Sequence, residues 1–198
     1  MKKTSILILA LFCLTNYLVH SQTTKNSKNM TEQKQYPKAL VDYDDFKNLV
    51  LKVEKERMER LVSLDTFLKM SKESNTIILD TRSDFRYNRK HLKGALHLDF
   101  TDFTQENLFK LIPDTNTKIL IYCNNNFKGD QIDFASKMAL PVNTVETQIL
   151  PNQKLVMLAL NIPTYINLYG YGYKNIYELD ELVNVNDARI KFEGTVMK

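Results

Sequence analysis

Cys123 is the residue from which a chemical reading starts. It closes an apolar run, Lys118-Ile119-Leu120-Ile121-Tyr122, and opens a polar loop, Asn124-Asn125-Asn126-Phe127-Lys128-Gly129. The run is too short for a helix and rich in β-branched residues, which predicts a buried strand. Asn tolerates left-handed backbone angles better than other non-glycine residues, so the loop is expected to curl. Curling would turn successive N–H groups inward as an anion nest, with the positive end of a helix predicted over Gly129 to Met138 and the charge of Lys128 added to it. All three favour thiolate over thiol at Cys123, which would make it a nucleophile. In an open parallel sheet, ligands bind outside the carboxyl ends of the strands, and Cys123 falls at such an end.

Cys123 is one of two cysteines in 198 residues. The other, Cys13, lies in a stretch ordered like an export signal: Lys2 and Lys3, an apolar run from Ile6 to Leu14, then Val19-His20-Ser21. Nine apolar residues fall short of the roughly 20 that span a bilayer, so the stretch is read as a signal cleaved after Ser21 and not as a stable membrane span. A lipid-anchored start at Cys13 fits poorly with bulky Leu11 and Phe12 before it. A periplasmic or secreted protein is therefore expected. Cleavage leaves 177 residues (198 less 21) with one cysteine, so no intramolecular disulfide can form. Such a thiol is either a buried filler or one retained for its reactivity.

The remaining composition excludes several functions. One Cys with His91 and His97 makes no recognisable ligand set, so no metal and no other cofactor is expected; both histidines are read as hydrogen-bonded structural residues. The formal charge is +4, and losing Lys2 and Lys3 leaves 25 basic against 23 acidic residues, or +2. That excess is too weak to argue for nucleic acid as a partner. Tyr165, Tyr169, Tyr171 and Tyr173 are accordingly read as packing residues and not as a base-stacking surface.

The elements that must position Cys123 alternate along the chain. Residues 22–36 are polar and form a flexible tether, and residues 37–60 carry Phe46, Leu49, Val50 and Val53 at helical spacing as an N-terminal helical extension. Lys52 with Glu56 and Glu56 with Arg60 are expected to pair on its outer face. Within 61–185, strands are expected at Leu61-Val62, Thr76 to Leu79, Leu96 to Leu98, Lys118 to Tyr122 and Tyr173 to Tyr177. Helices are expected after Ser63, at Asp84 to Lys90, Gln105 to Ile112, Gly129 to Met138 and Lys154 to Leu160. An insertion occupies about 140–155, and 186–198 reads as a C-terminal tail. Short apolar runs alternating with helices indicate an α/β fold around a mainly parallel sheet flanked by helices.

Three strings together resemble the rhodanese-like domain, the three-layer α/β fold of the persulfide-forming sulfurtransferases, over roughly Leu61 to Leu182. They are Ile77-Ile78-Leu79-Asp80-Thr81-Arg82 with His91-Leu92-Lys93-Gly94-Ala95 after it, Ile119 to Lys128 around the cysteine, and Gly172-Tyr173-Lys174-Asn175-Ile176-Tyr177-Glu178-Leu179. The resemblance implies that Cys123 takes sulfane sulfur from a small donor, holds it as a persulfide cradled by the amides of Asn124, Asn125, Asn126, Phe127, Lys128 and Gly129, and passes it to a thiol acceptor. Asp80 and Arg82 would support the loop as a buried pair.

The chain also departs from that pattern. Lys128 stands where arginine is more usual, and a point charge cannot grip an oxyanion with a planar fork. The loop lacks the glycine usual near its middle, and Lys93 replaces a usual proline. These departures feed an alternative, a catalytically inactive module that binds a protein partner through its insertion and N-terminal helix. A cysteine phosphatase would want arginine six positions after the cysteine, where this chain has Gly129.

Overall fold

Alternating side chains let one strand serve two cores at once. In β5 (Lys118–Tyr122), Ile119 and Ile121 point to one face of the sheet and Leu120 and Tyr122 to the other, and all four are buried. The computed structural model describes residues 36–139 and 156–197, and from Asp42 onward these form one unit. The predicted export signal, the tether up to residue 35 and the 140–155 insertion fall outside the described residues.

Five strands form a wholly parallel sheet, the arrangement expected of apolar runs covered on both faces. Its order is β1 (Leu61–Val62), β9 (Ile176–Leu179), β5, β2 (Thr76–Asp80) and β4 (Leu96–His97). Each neighbouring pair runs parallel, and β5 pairs with β2 over five residues, Thr76 opposite Lys118 through Asp80 opposite Tyr122. The register sets Asp80 beside the strand end that carries Cys123.

One face is covered by α1 (Tyr43–Met58), α4 (Gln105–Leu111) and α5 (Asn161–Gly170), which contribute Val53, Leu108, Tyr165, Ile166 and Leu168 to the core. Asp42 caps α1, accepting the Asp45 N–H. Glu56 pairs with Arg60 as expected, whereas Lys52 lies over the Tyr169 ring. The other face is covered by α2 (Leu64–Met70), capped by Ser63, and by a cluster of Phe127, Phe134 and Phe192. Tyr165 and Tyr173 are fully buried, with Tyr169 and Tyr171 packed on the same core. α3 (Asp84–Arg89) and β3 (His91–Leu92) complete the carboxyl edge.

Three expectations fail, each for a tertiary reason. No helix forms over Gly129 to Met138. After β6 (Phe127–Lys128) the chain turns once, Phe134 N–H bonding Asp130 O, and the turn is held by side chains from elsewhere: Arg89 on Asp133 and Lys90 on Asp130. Of the helix expected over Lys154 to Leu160, residues 154 and 155 fall outside the described residues and the rest begins with β8 (Val156–Met157), antiparallel to β7 (Met138–Ala139); the helix starts later, at Asn161. Pro163 sits in its first turn, where a missing N–H costs nothing. Finally, 186–198 is no free tail. β11 (Phe192–Glu193) pairs antiparallel with β3, Phe192 joins the aromatic cluster, and Ile190 is buried. Gly194 lets the chain leave β11 at φ 134°, against the carbonyl of Arg89.

Candidate functional site

The site grows from the carboxyl ends of β2 and β5. Asp80 closes β2 with no exposure, and Arg82 two residues on folds back over it. Arg82 Nε lies 3.0 Å from both Asp80 oxygens and Nη2 2.7 Å from Oδ2, a forked charge-assisted pair. The same guanidinium donates to the carbonyls of Lys90 at 2.7 Å and Asp133 at 3.1 Å, and to Asn124 Oδ1 at 3.4 Å. It also lies against the rings of Tyr122 and Phe134. Burial works against the Arg82 charge, but the Asp80 carboxylate overcomes it and holds the guanidinium above its ordinary value. Tyr122 donates its hydroxyl to Asp80 as well; burial, reinforced by that carboxylate, pushes the phenol well up. Asp80 and Arg82 thus join β2, β5, the Cys123 loop and the Asp130 turn.

Cys123 follows Tyr122 with 1% exposure, and its Sγ accepts the N–H of Leu160 at 3.3 Å, just before α5. Beyond it the loop does not curl into a ring. Asn124–Asn126 form one right-handed 3-10 turn, Phe127 is extended, and the first positive φ is at Gly129, 94°. The amide of Asn126 bonds Cys123 O and, in a capping box, also faces the Cys123 side chain, while that of Phe127 is spent on Asn124 O. The cause is Phe127, fully buried among Tyr122, Phe134 and Phe192, a burial worth up to about 3 kcal/mol. Its strand β6 then pairs in parallel with β10 (Val183–Asn184), which leaves Lys128 exposed.

The three asparagines have separate structural tasks. Asn126 Oδ1 accepts the Cys123 N–H at 2.9 Å, while its Nδ2 donates to Leu179 O at 2.6 Å. Asn125 both donates to Lys137 O and accepts Lys137 N–H, fastening the segment that leads into β7. Asn124 accepts from Arg82 and lines a cleft of about 420 Å³. Leu160 lines the same cleft, with Arg86 and Lys137 as accessible cations, Asp99 as the carboxylate, and Ser83 and Thr101 as hydroxyls. The structure therefore brings Cys123, Asn124, Asp80 and Arg82 together, and carries Lys128 and Gly129 away along β6.

A family model for the rhodanese-like domain matches residues 63–181, more than half of the chain. The chain belongs to the rhodanese-like domain family. Its fold is the rhodanese-like one, a mostly parallel central sheet flanked by helices. Solved structures similar to it include a Rhodanese_3-like domain from Anabaena sp, with 16% identity over 60% of this chain and 92% of that one and a TM-score of 0.34. An Escherichia coli rhodanese with anions shares 13% identity over 61% and 99%, TM-score 0.33. A Bacillus halodurans protein shares 13% identity over 76% and 88%, TM-score 0.40. Among curated proteins none matches.

In this rhodanese-like domain the two histidines stack on opposite faces of Tyr87, at 3.8 and 4.3 Å between ring centroids. His91 bonds Tyr87 O and Glu193, and His97 bonds Asp80 O and Asp84. Both brace the carboxyl edge. Reading the sequence missed Arg86, Lys137 and Leu160 at the cleft. Pro163, a marker of the first helical turn, would have placed Leu160 at a helix start; nothing local marks the other two.

Proposed function

We propose that this chain is a rhodanese-like binding module in which Cys123 is a structural thiol, and that its cleft holds an anionic group of a partner molecule. The observation that carries this reading is the loop after Cys123. A persulfide needs several fixed N–H donors converging on its anionic sulfur, and here the Phe127 amide is turned onto Asn124 O, the Asn126 amide is shared between Cys123 O and the thiol, and the thiol is 1% exposed. Among the described residues, Arg86 and Lys137 against the carboxylate of Asp99 give the adjoining cleft its preference for an anion. Export of the module, to the periplasm or beyond, rests on the order Lys2-Lys3, the apolar run and Ser21.

The second reading is an active sulfurtransferase, moving sulfane sulfur through Cys123 to a thiol. The Leu160 N–H aimed at Sγ favours it, since that amide would stabilise negative charge on the sulfur. One experiment separates the two. The full chain is incubated with thiosulfate, a mercaptocarboxylate and polysulfide, and the Cys123 peptide is weighed by mass spectrometry. The binding module leaves that peptide unmodified. An added sulfur atom, lost in Cys123→Ser and discharged by a thiol, establishes the sulfurtransferase instead.

A further inference from the structure

A second cavity, of about 540 Å³, opens on the far side of the Cys123 loop, between the start of α5 and the end of β9. Its charged lining is one guanidinium, Arg57, against the three carboxylates of Glu178, Asp180 and Glu181. Arg57 is already committed, holding Glu178 through two bonds of 2.7 Å. Glu181 accepts the Leu64 N–H, while Asp180 is exposed at the rim. Among the described residues the lining therefore carries an excess of two negative charges and no cation free to meet an anionic ligand.

Asn161 supplies an independent sign. It lines this cavity with 6% exposure, and its orientation is fixed because its Nδ2 donates to Asn126 Oδ1 at 3.1 Å, an oxygen that also accepts the Cys123 N–H. That leaves Asn161 Oδ1 buried with no donor among the described residues. A buried acceptor without a partner is uncommon and costly. Burial also lifts Glu178 above the ordinary carboxylate range, in spite of Arg57, so the site gains from added positive charge. Around these acceptors the rim is apolar, with Met138, Met157, Ile162 and Leu182 each between 37% and 59% exposed.

We infer that this cavity binds an aliphatic primary ammonium, its charge among Glu178, Asp180 and Asn161 Oδ1 and its alkyl chain on the Met138, Met157, Ile162 and Leu182 rim. The ammonium brings the donors that Asn161 lacks and the charge that the carboxylates favour, and the chain covers the apolar side chains. The site does not depend on thiol chemistry at Cys123.

The test titrates the full chain with n-hexylammonium, with hexanoate and hexanol as charge controls, reading backbone amide shifts by NMR. Hexylammonium is expected to bind with a dissociation constant on the order of 1 mM and to move the amides of Asn161, Leu179 and Leu182. Asp180→Asn, an exposed change that spares the fold, should weaken it by about two- to fivefold, the worth of one rim charge. An Nα-acetyl-lysine methylamide arm distinguishes the sources. Binding of both probes assigns the site to a lysine side chain of a peptide, and binding of hexylammonium alone assigns it to a free amine. Equal binding of hexanoate or hexanol, shifts confined to the Arg86 and Lys137 cleft, or no binding at about ten times the expected constant overturns the proposal.

Discussion

Replacing Arg82 by methionine tests whether the Asp80–Arg82 pair organises the carboxyl edge. The change keeps an unbranched apolar stem between Tyr122 and Phe134 but removes the charge, leaving the Asp80 carboxylate buried with the Tyr122 hydroxyl as its remaining side-chain donor. Breaking a buried pair from one side costs about 3–5 kcal/mol, because the partner charge stays behind in low dielectric. The carbonyls of Lys90 and Asp133 also lose their donor. In a unit of this size each kcal/mol lowers the melting temperature by about 2–4 °C, so a fall of roughly 6–20 °C is expected by circular dichroism. Removing both charges, in Asp80→Leu with Arg82→Met, should restore part of the loss, giving a coupling of about 1–3 kcal/mol in urea unfolding. A single change costing less than about 1 kcal/mol, or a double variant as unstable as the sum of its parts, would refute the assignment of the pair as the brace.

Three further outcomes are expected. Gly194→Ala drives a Cβ into Arg89 O at a backbone angle that side chains rarely adopt, so it should cost about 1–3 kcal/mol and speed hydrogen exchange at Lys93, whose amide bonds Lys191 O; unchanged exchange there would show that β11 is not held as described. Burial raises Glu178 above the ordinary carboxylate value, with Arg57 opposing, so the folded chain holds that proton more tightly than the unfolded one. The resulting stability is fully present below the ordinary carboxylate value and lost as pH rises through the folded one. Urea midpoints of the native chain relative to Glu178→Gln should therefore fall over that window, and a rise would contradict the burial argument. In a Cys13→Ser chain, Cys123 at 1% exposure should react with a disulfide reagent at least about a hundredfold faster in denaturant than in native buffer, reflecting the need for opening. Immediate native reaction would count against the buried thiol and favour the sulfurtransferase.

The elements legible in the sequence are those whose signal is local. β5 and β2 carry short apolar runs, Ser63 caps its helix, and Asp80 and Arg82 lie two residues apart, so the strand ends beside Cys123 can be placed from the chain alone. The segment after Cys123 cannot. Gly129 to Met138 has the composition of a helix, yet Asp130, Asp133 and Phe134 are claimed by Lys90, Arg89 and the aromatic cluster, and Lys52 prefers a tyrosine ring to Glu56. Residues 186–198 look dispensable in sequence because their partners, β3 and Phe127, are distant along the chain.

The sequence by itself determined the α/β fold, the place of Cys123 at a strand end, and the buried Asp80–Arg82 neighbourhood, because alternation, caps and short spacings act within a few residues. Only the tertiary structure decided what the cysteine loop does. Phe127 has to be buried against Phe192, sixty-five residues later, and that requirement opens a loop which three asparagines would otherwise have let close.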